Sequence, residues 1–184
     1  LNGEIKEYPL LLDCPCIILA GGQGALTMPI SAGVEAPEKS LDAFVPTTVK
    51  NFANGETYVN IAGNVRGKDV YLMPIGGEKV NDNLMETYLK ADAAKRAGAD
   101  RVIAILPSFD YARRERKTEP GEAIAAKVNM DLLRASGVDE IITTDLHATA
   151  IQGFVSNDMR ITHLESMGLM KDYIKSQVFN SLDV

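Results

Sequence analysis

The run Thr144-Asp145-Leu146-His147-Ala148 sets one of the chain's two histidines just behind the apolar pair Ile141-Ile142. An apolar run that stops in a polar turn marks the carboxyl end of a sheet strand, and open α/β sheets bind their ligands there. An imidazole in that place can hold a divalent metal, touch a phosphate, or serve as a hydrogen-bonded structural side chain. Position alone weights the ligand and structural roles equally. A second candidate is Tyr111-Ala112-Arg113-Arg114-Glu115-Arg116-Lys117, which carries four cations directly after another apolar run. Arginine forks and a lysine suit a polyphosphate, whose charge must be neutralised before a nucleophile can approach. A solvated charged loop is the plain alternative, and the place of these cations on the ligand-binding edge favours the phosphate. A third candidate is the turn Phe52-Ala53-Asn54-Gly55-Glu56, with an aromatic face, an amide and a carboxylate that could stack on and bond a purine. An Asn-Gly hairpin turn accounts for the same residues. Asp82 and Glu86 share a helix face at i, i+4 spacing and read as capping and solvation.

These residues need elements to hold them. Cys16-Ile17-Ile18-Leu19-Ala20 reads as a buried strand leaving into Gly21-Gly22-Gln23-Gly24, which could cradle a phosphate but lacks a full dinucleotide or phosphate-loop pattern, so that a tight turn is favoured. Strands are predicted at Thr57 to Ile61, Asp69 to Met73, Arg101 to Leu106 and Glu140 to Thr144. Asn81 or Asp82 can cap a helix running to about Ala97, with Leu84, Tyr88, Ala91 and Lys95 on one face and Gly98 behind it. A second helix is predicted from about Glu122 to Ser136, with Ile124, Val128 and Leu132 spaced as its core face and Gly137 ending it. A last helix is expected near Leu164 to Gln177. Strands alternating with helices of this length predict a mostly parallel α/β sheet flanked by helices.

The chain has 184 residues, 46% hydrophobic and 24% charged, which suits one good core. A formal net charge of -6 argues against a general binder of nucleic acid or membrane surfaces. No apolar run approaches the roughly 20 residues that span a bilayer, and no secretory signal is visible. Cys14 and Cys16 flank Pro15 and are poorly placed to bridge each other, so they read as reduced residues of a cytoplasmic protein. The chain begins at Leu1 rather than Met, as a portion of a longer product would.

Taken together and in order, several segments resemble the ribose-phosphate pyrophosphokinase (PRPP synthetase) family. They are Phe52-Ala53-Asn54-Gly55-Glu56, Val65-Arg66-Gly67-Lys68-Asp69-Val70, Asn81-Asp82-Asn83-Leu84-Met85-Glu86, Tyr111-Ala112-Arg113, Arg116-Lys117, Asp145-Leu146-His147-Ala148 and Ile151-Gln152-Gly153-Phe154. The resemblance runs from about Asn51 to Tyr173. It implies that residues 1–184 form one phosphoribosyltransferase-like N-terminal half, with a second, C-terminal half absent from this chain. It implies transfer of a pyrophosphoryl group from MgATP to the 1-hydroxyl of ribose 5-phosphate, giving PRPP and AMP. Phe52, Asn54 and Glu56 would meet the adenine of ATP bound to an adjacent subunit of a homo-oligomer. Arg113, with Arg114, Arg116 and Lys117 beside it, would bind ATP phosphates. His147 would ligate the catalytic Mg²⁺ or contact the phosphates next to it. Such a transfer relies on positioning and charge neutralisation.

This chain departs from the family at Arg114, where Gln is usual, and at Glu115, where Asp is usual. Asp110 stands where a Gly follows the aromatic residue, and Pro74 where a Gln ends the strand. Ile75-Gly76-Gly77-Glu78-Lys79 and the residues around Pro120-Gly121-Glu122 also differ. All fall near the nucleotide and phosphate region, so a different ribosyl phosphate acceptor is an alternative. The others are a non-catalytic, synthetase-like associated subunit and a single-domain phosphoribosyltransferase. The last should carry an acidic pair in a phosphate loop, and no such loop is found.

Overall fold

A computed structural model describes residues 16–20, 45–74 and 79–179. Cys14, the Gly21–Gly24 turn and Ile75-Gly76-Gly77-Glu78 lie outside the described residues. Five strands form one sheet: β1 (Cys16–Ala20), β4 (Asp69–Met73), β5 (Arg101–Leu106), β6 (Glu140–Thr144) and β7 (Arg160–Leu164), side by side in that order. Every neighbouring pair in it is parallel. Between β1 and β4 the chain makes a separate antiparallel hairpin of β2 (Thr47–Asn51) and β3 (Thr57–Ile61). The helices are α1 (Val80–Arg96), α2 (Ala125–Ala135) and α3 (Met167–Phe179). The expected α/β class and parallel sheet are present.

Parallel strands are covered on both faces and therefore read as continuous apolar runs. Val70-Tyr71-Leu72 and Val102-Ile103-Ala104 are buried throughout. Val70, Leu72, Val102, Ala104, Leu106 and Ile141 share one face, and Ala91, Ala94, Ala126, Met130 and Leu133 of α1 and α2 join them in a single core.

Both sheet-facing helices end in the same way. Gly98 (φ 89°) donates to the Lys95 carbonyl and Ala99 to that of Ala94. Gly137 (φ 101°) donates to Arg134 and Val138 to Leu133. These are Schellman caps, and each needs a left-handed residue that glycine adopts without a Cβ clash. The buried pairs Ala99/Ala94 and Val138/Leu133 supply the apolar contact that accompanies such a cap. Each cap turns the chain directly into the next strand.

Several boundaries differ from the sequence expectation. Helix α1 begins at Val80 with Lys79 as its N-cap and no side-chain capping bond. Neither Asn81 nor Asp82 caps it: both lie inside the first turn, where Asp82 still complements the positive end of the helix dipole. Helix α2 starts at Ala125, not near Glu122, because the Glu122 carboxylate accepts the Thr118 and Glu119 amides and the Thr118 hydroxyl and closes a loop. The predicted core face of α2 is also displaced. Val128 and Leu132 are 52% and 46% exposed, and the inward residues are Ala126, Asn129, Met130 and Leu133. The helix is apolar on two sides, and a shift of one residue rotates the face by about 100°. Strands β2 and β7 are additional to the predicted set. Arg160-Ile161-Thr162-His163-Leu164 alternates in burial as a strand does, so α3 starts after Leu164 rather than at it.

Leu133→Ala should therefore cost about 2–5 kcal/mol of unfolding free energy, whereas Leu132→Ala should stay within about 0.5 kcal/mol. Urea denaturation of the two variants checks this, and a reversed order would restore the predicted face.

Candidate active site at the carboxyl edge of the sheet

Strands β5 and β6 pair Leu106 with Thr143. Their ends emerge together, and the Thr144 hydroxyl donates to the Pro107 carbonyl at 2.6 Å. Beyond them opens a cleft of about 580 Å³, lined by residues 107–114 and 144–147. Arg113, Arg114 and His147 all border it. The structure thus brings two of the four candidate phosphate ligands, Arg113 and Arg114, to one cleft with the candidate metal ligand.

Each side of the cleft hangs from a buried anchor. Phe109 is buried in the core, and the chain leaves it through Asp110 and Tyr111 into a 3₁₀ turn, Ala112–Arg114. On the other side Leu146 packs on the core, and a 3₁₀ helix, Thr149–Phe154, plants the fully buried Ile151. Anchoring on both sides leaves Arg113, Arg114 and His147 exposed between fixed points.

Among the described residues, two that are not glycine have positive φ: Tyr111 at 63° and Asp145 at 45°. Both line this cleft. Left-handed backbone costs an ordinary residue roughly 1–3 kcal/mol and persists where its surroundings over-determine it. The Tyr111 hydroxyl donates to Asn81 Oδ1 on α1. Asp145 donates its amide to the Leu164 carbonyl and accepts the Ser166 amide on Oδ1. Hydrogen bonds with Ser166 hold the Asp145 carboxyl below its usual range. Behind the arginine loop, Asn129 donates to the Asp110 carbonyl and accepts from the Tyr88 hydroxyl, whose pKa is pushed up to about 12, chiefly by burial. Asp110 itself is half-buried, and desolvation raises its carboxyl.

Not every candidate lies here. Arg116 and Lys117 are exposed and lie outside the residues that border the cleft. Phe52, Asn54 and Glu56 stand on the β2–β3 hairpin, also outside it. Asn54 Oδ1 accepts the Glu56 amide, Gly55 takes φ 88°, and Phe52 bonds its backbone to Gly55 and Glu56. The turn itself thus employs the Asn-Gly pair. Phe52 remains 55% exposed, its ring edge-to-face with Tyr58 at 6.4 Å between centroids. Among the described residues no cluster of three or more His, Cys, Asp or Glu could enclose a metal ion. One imidazole beside two arginines fits a Mg²⁺ held mainly by phosphate oxygens and water, as that ion prefers. The sequence reading passed over Asn129 and His163. A polar residue on a helix face that is otherwise apolar was the available signal for the first, and the Ile161-Thr162-His163-Leu164 alternation for the second.

An open parallel sheet with a cleft at the carboxyl ends of its strands defines an α/β protein of the kind that binds its ligand at that edge. Residues 38–137 match the family model described as the N-terminal domain of ribose phosphate pyrophosphokinase, and the chain belongs to that family. It is 42% identical over 136 residues to the ribose-phosphate pyrophosphokinase of Clostridium acetobutylicum, covering 74% of this chain and 42% of that protein. It is 43% identical over 132 residues to that of Prochlorococcus marinus subsp. pastoris, covering 72% and 39%. The crystal structure of phosphoribosylpyrophosphate synthetase from Mycobacterium smegmatis superposes with a TM-score of 0.75 at 35% identity, over 88% of this chain and 52% of that one. The chain thus spans about half or less of the proteins it matches.

The raised Asp110 carboxyl has a stability consequence. A carboxyl whose folded pKa lies above its unfolded value favours the folded state below the unfolded value and loses that advantage as pH rises through the folded one. Asp110→Asn should therefore raise Tm at pH 7, with the gain shrinking as pH falls into the carboxylate range. A gain that did not shrink with falling pH would show that the charge is not its source.

Proposed function

We propose that this chain is the ATP-side half of a ribose-phosphate pyrophosphokinase. The ribose 5-phosphate 1-hydroxyl oxygen attacks the β-phosphorus of ATP. The bond from that phosphorus to the α–β bridging oxygen breaks, AMP leaves, and the hydroxyl proton passes to solvent. The observation that carries this reading is the convergence of Arg113, Arg114 and His147 on one cleft at the sheet's carboxyl edge.

Arg113 and Arg114 hold the ATP phosphates there by charge-assisted hydrogen bonds. Arg116 and Lys117, further along the loop and open to solvent, add positive potential at its approach. His147 holds Mg²⁺ or the phosphates beside it, and the ion when bound offsets charge on the transferring group. Phe52, Asn54 and Glu56 receive the adenine of ATP bound to an adjacent subunit. A hairpin tip exposed outside its own cleft supports a contact made across a subunit boundary, and so a homo-oligomer. The second half of the site, which takes the ribosyl phosphate, lies outside these residues. We read the enzyme as cytoplasmic, with no nucleic-acid or membrane partner. Among the described residues no helix is long and apolar enough to cross a membrane.

The test is PRPP formation from ATP, Mg²⁺ and ribose 5-phosphate by the full natural reading frame that contains this chain. Arg113→Ala should weaken MgATP binding by about 1.5–3 kcal/mol. Phe52→Ala should cost about 1–3 kcal/mol of the same affinity, the magnitude of base stacking. His147→Ala should lower kcat about 10²-fold with the fold intact. Calorimetry and initial rates check these, and unchanged values would return each residue to its structural role. Absent turnover, with assembly onto an active partner subunit, would favour the non-catalytic alternative.

A further inference from the structure

The second histidine is bonded to the residue that precedes the first. Strand β7 lies beside β6 with Thr143 opposite His163 and Thr144 opposite Leu164. From that position the half-buried His163 turns its Nε2 to the backbone amide of Leu146, which donates to it at 3.0 Å. Leu146 immediately precedes His147. The neighbouring residues of the same segment hold Asp145: Leu164 accepts its amide at 3.0 Å and Ser166 donates to its carboxylate at 3.0 Å.

We propose that His163 is a positioning residue for His147, an inference that rests on the reading given under Proposed function. Asp145 has left-handed backbone, so the peptide plane that follows it departs from the strand's direction. A hydrogen bond to the Leu146 N–H fixes that plane. With the Leu146 side chain seated against the core, two constraints on one residue set where the next one points. That next residue is His147, on the cleft. An imidazole nitrogen accepts only when it carries no proton, so the bond selects the His163 tautomer with its proton on Nδ1. Removing the acceptor frees the plane at a strained residue, and a ligand displaced by even 1 Å loses much of its effect on rate.

The comparison is His163→Phe, which keeps a ring without an acceptor, against His163→Gln, whose Oε1 can replace Nε2 as acceptor. In the full protein, with ATP, Mg²⁺ and ribose 5-phosphate, His163→Phe should lower kcat by about 10- to 100-fold, as misplacing a catalytic group by about 1 Å does. KM for ribose 5-phosphate should stay within about twofold, since that ligand binds outside this chain's cleft. Amide exchange at Leu146 should quicken. His163→Gln should recover most of kcat and slow that exchange again. His163→Leu makes the same comparison if the Phe variant does not fold. Unchanged kcat in a folded Phe or Leu variant overturns the proposal, and so does a Gln variant as impaired as the Phe one. Absence of turnover in the unmutated protein is a different result: it overturns the pyrophosphokinase reading, and this inference with it.

Discussion

A parallel strand can only be followed by another after the chain has crossed back to the starting edge. In this sheet that rule operates from β4 to β7, and every strand's carboxyl end faces the same way. The loops after β5 and β6 therefore meet whatever their sequence. Their register sets the spacing: Leu106 opposite Thr143 brings Pro107 within reach of the Thr144 hydroxyl. A slip of one residue would send the apolar set of β6 to the opposite face.

Upon that edge the protein stores strain. Tyr111 and Asp145 are both left-handed, and each stands two residues before a candidate ligand. Phe109 and Ile151 supply the rigid footing, and hydrogen bonds to Asn81 Oδ1 and the Leu164 carbonyl and from the Ser166 amide keep the strained turns from relaxing. A loop held in this manner can present Arg113 and His147 to a polyphosphate without reordering at the moment of binding, which lowers the entropic cost. The same cleft contains Asp110, whose negative charge opposes an anion and whose burial raises its carboxyl. Asp145 lines the cleft as well, so the two arginines face two carboxylates there.

The nucleotide contacts proposed here fall on two separate bodies of structure. The phosphate-facing residues are fixed to the parallel sheet, whereas Phe52, Asn54 and Glu56 ride on a hairpin that packs against α1. Nothing in the turn's own hydrogen bonding requires an aromatic residue at position 52. Its exposure and its edge-to-face contact with Tyr58 leave one ring surface free to meet a base from outside.

The apolar runs at Asp69 to Met73 and Arg101 to Leu106 and the glycines at 98 and 137 made the α/β alternation legible, because each depends on local periodicity or on a backbone angle that glycine favours. The resemblance of ordered motifs likewise placed the chain in its family, to which residues 38–137 belong. Periodicity failed where it was ambiguous. Helix α2 is apolar on two sides, and packing against the sheet selected Asn129, Met130 and Leu133 over Val128 and Leu132. It failed again at β7, five residues whose strand character depends on pairing with β6. The sequence by itself determined which residues could bind a phosphate or a metal, since that is a property of side-chain chemistry. Only the tertiary structure decided that Arg113 and His147 share a cleft while Phe52 does not, and that His163 meets the Leu146 amide. Those are distances between segments far apart in the chain, set by sheet register and by left-handed turns that no local preference dictates.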